Sequence, residues 1–383
     1  MNGPARRATP LTGLILTGGG ARAAYQAGVL LAVAKLSGHR RHNPFPIICG
    51  TSAGAINAAG IACLADNYGK AASRLANVWR NMRAADIYRA DAAGIIGAGA
   101  RWLSLLAFGW LVRNSPRSLL DNAPLRQLLS RHLDFPGIER AIAKGALHAI
   151  SISASGYDSG DNISFFQAHP DVAPWQRVQR IGLRTRLGVE HLLASSAIPF
   201  IFPAEHIHRE YFGDGSMRHL APISPAIHLG AERILIAGAG RRSEPGERLA
   251  GESYPSLAQI AGHALSSIFL DSLAVDIERL ERLNQMLSAL PPACHEQPEI
   301  GLRRIETLII APSEKLERIA AEHADALPAP VKLLLGSLGA MNRRGGALTS
   351  YLLFEKPYTR KLIDLGYADT MARSSEVGDF LKL

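Results

Sequence analysis

The chain has 383 residues, of which 47% are hydrophobic and 20% charged, and this composition excludes an intrinsically disordered protein. Lys and Arg outnumber Asp and Glu by 42 to 33, so the formal net charge is +9 and anionic partners are favoured. The basic residues are scattered and only 6% of residues are aromatic, so we expect no nucleic-acid partner and prefer a membrane surface.

The cysteines are too few and too far apart for a disulfide framework. Cys49, Cys63 and Cys294 form no C-x-x-C pair, and an odd number would leave one thiol unpaired. The first apolar run is broken by Thr17 and three glycines, so it does not resemble a secretory signal. We therefore expect a cytoplasmic protein, peripheral at the inner membrane if it contacts lipid.

The first segments alternate between strand and helix patterns. Residues 11–17 form an apolar strand candidate, and a helix-length run follows at residues 21–36. Residues 46–49 repeat the pattern before an Ala-rich helix that reaches about residue 65. Two such units in succession predict an α/β fold of three layers, with a mostly parallel central sheet between helices.

Later segments continue this alternation and then become helical. The remaining strand candidates are residues 148–154, 162–167, 233–237 and 307–311, and the helix candidates between them are residues 121–132, 189–196 and 222–229. We expect the sheet to end with the strand at 307–311. Residues 254–290 and 330–383 have helical patterns, which predicts a helix-rich C-terminal region.

The window from Ala92 to Val112 is the most apolar in the chain and is interrupted only by Arg101. Its glycines and central arginine make a membrane-spanning helix costly. Two interpretations stay open. The window is either a buried helix or lid on the core, or an interfacial element whose Trp102, Phe108 and Trp110 enter the headgroup region and admit lipid to the site.

Residues 50–54, GTSAG, match the G-x-S-x-G pattern of a serine on a sharp turn between a strand and a helix. Gly50 and Gly54 satisfy the steric demand of such a turn, and Ser52 is the candidate nucleophile. The helix that follows would direct its N–H groups towards a developing negative charge. The alternative is an ordinary turn with a solvated serine.

A second glycine-rich loop follows the first strand and contains Gly18, Gly19, Gly20 and Arg22. Its backbone N–H groups can converge on an anion, so it is a candidate oxyanion hole or phosphate cradle, or simply a tight turn. Arg22 would orient this loop, bind an anionic headgroup or be solvated.

The same loop also fits the dinucleotide fingerprint G-x-G-x-x-A, which requires an acidic residue about 20 positions later. The first acidic residue of the chain is Asp66, so the NAD version fails. Arg40 and Arg41 leave an NADP version open.

A serine hydroxyl needs a base to accept its proton, and Asp214 is the best candidate. It lies between glycines in the segment GDGS, and an aspartate in this setting is also a common turn residue. His206, His208 and His219 are nearby in sequence, but a separation of five residues between Asp214 and His219 does not fit the ordinary order of a hydrolase triad.

These segments together resemble the motifs of the patatin-like phospholipases, in the same order: GGGAR at 18–22, GTSAG at 50–54 and Asp214-Gly215. The segment SSAIP at 195–199 is similar too, and the resemblance covers about residues 14–237. Ser216 departs from it, because the family usually has a second glycine or an alanine at this position. This departure concerns the fine geometry of the loop.

The resemblance implies a Ser-Asp dyad without histidine, with Ser52 as nucleophile, Asp214 as base and Gly18, Gly19 and Gly20 as oxyanion hole. It also implies hydrolysis of phospholipid or other acyl-lipid esters without a metal or cofactor. We accordingly expect an N-terminal tail at residues 1–10, a catalytic α/β domain at 11–240, and a C-terminal part at 241–383 that completes the sheet and adds helices. The alternatives are a non-catalytic module that binds anionic lipid or nucleotide through the glycine loop, and a membrane scaffold.

Overall fold

The structure is a computed structural model that describes residues 10–38, 42–89, 118–238, 256–268, 272–289, 303–337 and 346–383. Ten strands occur in these ranges: β1 (Leu11–Leu16), β2 (Ile47–Thr51), β3 (Ala149–Gly156), β4 (Asn162–Ala168), β5 (Trp175–Arg177), β6 (Arg180–Arg184), β7 (Glu205–Ile207), β8 (Glu210–Asp214), β9 (Ala231–Ala237) and β10 (Glu306–Ile310). They form one sheet in the order β10-β9-β1-β2-β3-β4-β6-β5, with β8 paired to β3 and β7 paired to β8.

The helices of the described ranges follow in chain order. They are α1 (Ala24–Leu36), α2 (Ala53–Ala62), α3 (Tyr68–Asn81), α4 (Ala84–Ile87), α5 (Ala123–His132), α6 (Pro136–Ala143), α7 (Val189–Ser195), α8 (Ser224–His228), α9 (Leu257–Ser266), α10 (Ser272–Ala289), α11 (Leu316–Glu322), α12 (Ala329–Ser337), α13 (Gly346–Leu352), α14 (Lys356–Ala372) and α15 (Ser374–Leu381). Short 3₁₀ turns lie at Gly20–Ala23, Ala65–Asn67, Gly215–Arg218 and Ala324–Ala326.

The centre of the sheet is parallel. β10, β9, β1, β2 and β3 pair in parallel, and β1 and β2 therefore end at the same edge. Beyond them β4 and β8 both run antiparallel to β3, while β6 is parallel to β4 and β5 antiparallel to β6. The prediction of a largely parallel α/β sheet with a helical C-terminal region is confirmed.

Both faces of the sheet are covered, as the three-layer prediction requires. Leu14 and Leu16 of β1 belong to one core, which includes residues of α1, α2 and the C-terminal helices. Ile15, between them in sequence, belongs to a second core with residues of α8 and α10. Side chains of a strand alternate between faces, so an unbroken apolar strand such as β1 supplies both cores.

Helix α1 is buried because α14 covers the side that faces away from the sheet. A Cβ atom on Gly28 of α1 would lie 2.0 Å from the carbonyl oxygen of Ile363, and one on Gly366 of α14 would lie 2.1 Å from that of Tyr25. The Tyr25 hydroxyl also donates a hydrogen bond of 3.0 Å to Asp369. Glycine at these two positions therefore lets the backbones of the two helices come into contact. Because α14 covers this side of α1, α1 has no polar face.

Some elements differ from the sequence-based expectations. The β5–β6 hairpin and α3 were not predicted, and the predicted helix at residues 254–290 contains two described helices, α9 and α10. No helix in the described ranges combines the length and hydropathy needed to cross a bilayer. The apolar window at residues 92–112 lies outside the described residues.

Candidate active site

Ser52 lies at the turn where β2 ends and α2 begins. Its backbone angles are φ 56° and ψ −130°, a conformation that costs energy for any residue other than glycine. Its N–H donates a hydrogen bond of 2.9 Å to the hydroxyl oxygen of Ser195, and the Ser195 hydroxyl donates one of 2.6 Å to the Ser153 carbonyl of β3. The strained turn is therefore held by a buried chain of hydrogen bonds.

The glycines around Ser52 are explained by close backbone contacts. A Cβ atom on Gly50 would lie 2.5 Å from the carbonyl oxygen of Gly54, and one on Gly54 would lie 2.2 Å from that of Leu16. The second contact brings the start of α2 against the end of β1. The G-x-S-x-G turn and the glycine loop are thus neighbours in the fold.

The glycine loop at residues 18–20 connects β1 to the 3₁₀ turn that precedes α1. Gly19 and Gly20 have φ values of 159° and 54°, and the second lies in the left-handed region that favours glycine. A Cβ atom on Gly20 would also lie 2.3 Å from the carbonyl oxygen of Tyr351 in α13. The position of this loop therefore depends on its packing against α13, in the C-terminal region of the chain.

Arg22, on the first turn after the loop, is 1% exposed and not solvated. It forms an ion pair of 2.8 Å with Glu317, donates a hydrogen bond of 2.7 Å to Ser350 and lies 4.0 Å from the ring centre of Tyr351. A guanidinium group suits such a set, because its planar donors can serve several partners at once. Arg22 thus ties the glycine loop to α11 and α13.

Asp214 is the last residue of β8 and is 1% exposed. Its N–H donates a hydrogen bond of 2.9 Å to the Ala197 carbonyl, and its Oδ1 accepts one of 2.9 Å from the N–H of Ser216. A Cβ atom on Gly215 would lie 2.1 Å from the Ser153 carbonyl oxygen. The GDGS segment is therefore pressed against β3, next to the strand that leads to Ser52.

The carboxyl group of Asp214 lies beside the Ser52 hydroxyl. Burial raises the pKa of Asp214 to about 6, and its interactions with Ser52 and Ser216 act in the opposite direction. Its Oδ2 atom is buried and has no hydrogen-bond partner of standard geometry among the described residues. One carboxylate oxygen is therefore anchored by backbone, and the other has lone pairs available to accept a proton.

None of the three candidate histidines forms a described hydrogen bond to Ser52 or Asp214. His219 lies closest to the turn, with its Nδ1 atom 3.4 Å from the hydroxyl oxygen of Thr51. Burial lowers the pKa of His219 to about 4, so its ring is neutral at physiological pH. His206 and His208 are exposed on the β7–β8 hairpin.

A deep apolar cleft, here called the Ser52 cleft, begins at Ser52 and Gly20 and holds about 1010 Å³ including its open mouth. Its other lining residues are Ala53, Ile56, Gly60, Cys63, Leu64, Arg74, Leu75, Val78, Trp79, Met82, Ile87, Leu125, Leu128, Leu129, His132, Leu133, Asp134, Ser196, Ile198, Phe202, Tyr351 and Phe354. Most of these residues were not predicted from the sequence, since only the fold brings α3, α5 and α13 to one place.

One group of described side chains could hold a metal ion. Ligand atoms of His148, His169 and Asp171 lie within 4.8 Å of one another. They adjoin the start of β3 and the end of β4, whereas Ser153 and Asp214 lie near the other end of β3. This group is therefore separate from the Ser52 cleft.

The sheet, the G-x-S-x-G turn and the glycine loop define a three-layer α/β protein that carries a serine at a strand-to-helix turn beside a glycine-rich loop. The chain belongs to the patatin-like phospholipase family, whose sequence profile matches residues 14–227. This match includes Ser52, Asp214 and the glycine loop.

Two further comparisons describe what the chain is similar to. A cGAMP-activated phospholipase of Pseudomonas aeruginosa is 28% identical over 217 residues, which make up 56% of this chain and 55% of that protein. The chain thus spans about half the length of this relative. The crystal structure of VipD from Legionella pneumophila aligns with 93% of this chain and 67% of that chain, at 12% identity and a TM-score of 0.29.

Proposed function

We propose that this protein is a phospholipase A-type hydrolase that cleaves fatty acyl esters with Ser52 as nucleophile and Asp214 as base. The observation that carries the proposal is a strained serine beside a buried carboxyl group at one end of an apolar cleft. Strained backbone and carboxylates of raised pKa are concentrated at functional sites. An apolar cleft suits the hydrocarbon part of a lipid.

The reaction begins when Asp214 accepts the hydroxyl proton of Ser52 and the Ser52 oxygen attacks the ester carbonyl carbon. Backbone N–H groups of Gly18, Gly19 and Gly20 stabilise the oxyanion of the tetrahedral intermediate. This intermediate collapses, the alcohol leaves with the proton held by Asp214, and the acyl group stays on Ser52.

The second half of the reaction repeats these roles with water. Asp214 accepts a proton from water, the hydroxide attacks the acyl carbonyl, and the fatty acid leaves as the proton returns to Ser52. This scheme requires no histidine, in keeping with the hydrogen-bond contact of His219, which is with Thr51.

A fluorophosphonate probe tests the proposal, because it reacts only with an activated serine. We expect mass spectrometry to find the label on Ser52, and Ser52→Ala to abolish both labelling and ester hydrolysis. Asp214→Asn should lower kcat by about a hundredfold to ten-thousandfold, the usual contribution of a general base. Ser130→Ala, on the exposed side of α5, and Asp325→Asn are matched controls that should keep full activity.

The alternative is a module that binds an anionic lipid or nucleotide through the glycine loop without turnover. It predicts ligand binding that survives both substitutions, with no labelled serine. Full ester hydrolysis in Ser52→Ala would disprove the proposed nucleophile.

A further inference from the structure

The Ser52 cleft follows one face of α2. Ala53, Ile56 and Gly60 line it, as do Cys63 and Leu64 just after the helix ends. The spacing of three or four residues from Ala53 to Cys63 marks a single helical face. At about 1.5 Å per residue, the lined face is about 15 Å long from Ala53 to Cys63. The cleft is therefore a channel that leads away from Ser52 along the helix axis.

The opposite wall of the channel is apolar until its far end. It consists of residues from α3 and α5, among them Leu75, Val78 and Leu129. The exposed side chains of Arg74, His132 and Asp134 then line the last part. A hydrocarbon chain in the channel would thus make apolar contacts along α2 and would reach water at the far end.

Gly60 is the residue of α2 that keeps this channel open. Glycine is the least favourable residue in a helix interior after proline, so its presence requires a reason. Backbone contacts provide that reason at Gly54 but not at Gly60, where an added Cβ atom would meet only the Leu75 side chain, at 3.3 Å. Any larger side chain at position 60 would therefore extend into the channel and narrow it.

We infer that Gly60 sets how far an acyl chain can enter the Ser52 cleft, and so determines how strongly the protein prefers long acyl chains to short ones. This inference rests on the proposed function. Gly60 lies about 10 Å along α2 from Ala53. Because an extended hydrocarbon advances about 1.3 Å per carbon, this depth corresponds to about eight carbons.

The test compares p-nitrophenyl butyrate with p-nitrophenyl palmitate in Gly60→Leu, Gly60→Ala and the unchanged protein. The measured quantity is the ratio of kcat/KM for palmitate to that for butyrate. Each buried methylene contributes about fourfold to such a ratio. We expect Gly60→Leu to lower the ratio by at least about tenfold, and Gly60→Ala to lower it less.

The controls separate this inference from misfolding and from the proposed function. Leucine and alanine are better helix formers than glycine, so helix propensity does not disfavour either variant. Gly378→Leu makes the same change in α15, where an added Cβ atom has no neighbour within 4 Å, and should leave the ratio unchanged.

An unchanged ratio in Gly60→Leu would overturn the role of Gly60, as would equal losses on both esters. These outcomes leave the Ser52 proposal standing if the unchanged protein hydrolyses either ester. Failure of the unchanged protein to hydrolyse any ester, with no label on Ser52, would instead end the proposed function.

Discussion

Asp214 is a carboxylate in a nearly dry site, and two opposing effects determine its proton affinity. Burial disfavours the charged form, whereas interactions with Ser52 and Ser216 favour it, and the pKa that results is about 6. A base works best when its pKa lies near the operating pH. Asp214 is therefore mostly ionised at neutral pH yet basic enough to accept a proton.

We predict that kcat/KM falls as the pH decreases through about 6, because protonated Asp214 cannot act as a base. The measurement is a pH profile of ester hydrolysis between about pH 4.5 and 8, with unfolding monitored in parallel by circular dichroism. Activity that stays constant down to pH 4.5 in folded protein would contradict the role of Asp214 as base.

The same pKa shift has a consequence for stability. Since the folded pKa is raised from 3.8, the stability that neutral Asp214 contributes is present below about pH 4 and is lost as the pH rises through about 6. The variant Asp214→Asn lacks this titration. Its free energy of unfolding, compared with that of the unchanged protein at the same pH, should therefore rise by up to about 3 kcal/mol as the pH increases from about 4 to above 6. Urea unfolding at several pH values measures this, and Asp325→Asn is the exposed control.

Residues could be predicted from the sequence where the chemistry depends on a short segment. The motifs indicated Ser52, Asp214 and the glycines as candidate site residues, and the structure brings these segments together. Ser195 lies in the SSAIP segment, but the sequence did not indicate that its hydroxyl holds the turn, and the Tyr351 carbonyl that packs on Gly20 gave no signal at all. Their importance comes from tertiary contacts with residues far away in the sequence.

Among the elements, α1 and α14 pack most closely. Gly28 and Gly366 bring the two backbones together, and each faces a carbonyl oxygen of the other helix. Local sequence did not indicate this contact. The pattern of α1 is apolar all round, which predicts burial but does not identify the covering element.

We predict that Gly28→Ala destabilises the protein by about 1 to 3 kcal/mol, because the added methyl group would overlap the Ile363 carbonyl and force the helices apart. Urea unfolding measures the effect. Gly378→Ala is the matched control in α15, where alanine has free space and should stabilise the helix slightly. Equal free energies of unfolding for the two variants would show that α1 and α14 are not in close contact at Gly28.

Element prediction succeeded for the buried strands and failed for exposed ones. The apolar runs of β1, β3 and β9 are confirmed to within a few residues. The β5–β6 hairpin contains exposed arginines and strands of three and five residues, so it has neither an apolar run nor a clear alternation. Its strand β6 pairs with β4, a contact that the local sequence does not indicate.

At the scale of the whole molecule, the candidate site collects segments from distant parts of the chain. β1 and β2 end at one edge of the sheet, and their following loops contribute the glycine loop and Ser52. Ligands of parallel α/β sheets commonly bind at this edge. The C-terminal region adds Tyr351 of α13 and Phe354, which follows α13, to the cleft, although the motifs all lie before residue 220.

The net charge of +9 leads to a prediction about membrane binding. We expect the protein to bind vesicles that contain phosphatidylglycerol more tightly than vesicles of phosphatidylcholine alone, because basic residues are attracted to anionic surfaces. Ser52→Ala is the protein to use, so that the lipid is not consumed. Raising the salt from about 0.01 M to about 1 M shortens the screening length from about 30 Å to about 3 Å and should release it. Co-sedimentation with vesicles measures both effects. Binding that changes neither with the lipid charge nor with the salt concentration would contradict this prediction and show that apolar contacts hold the protein at the surface.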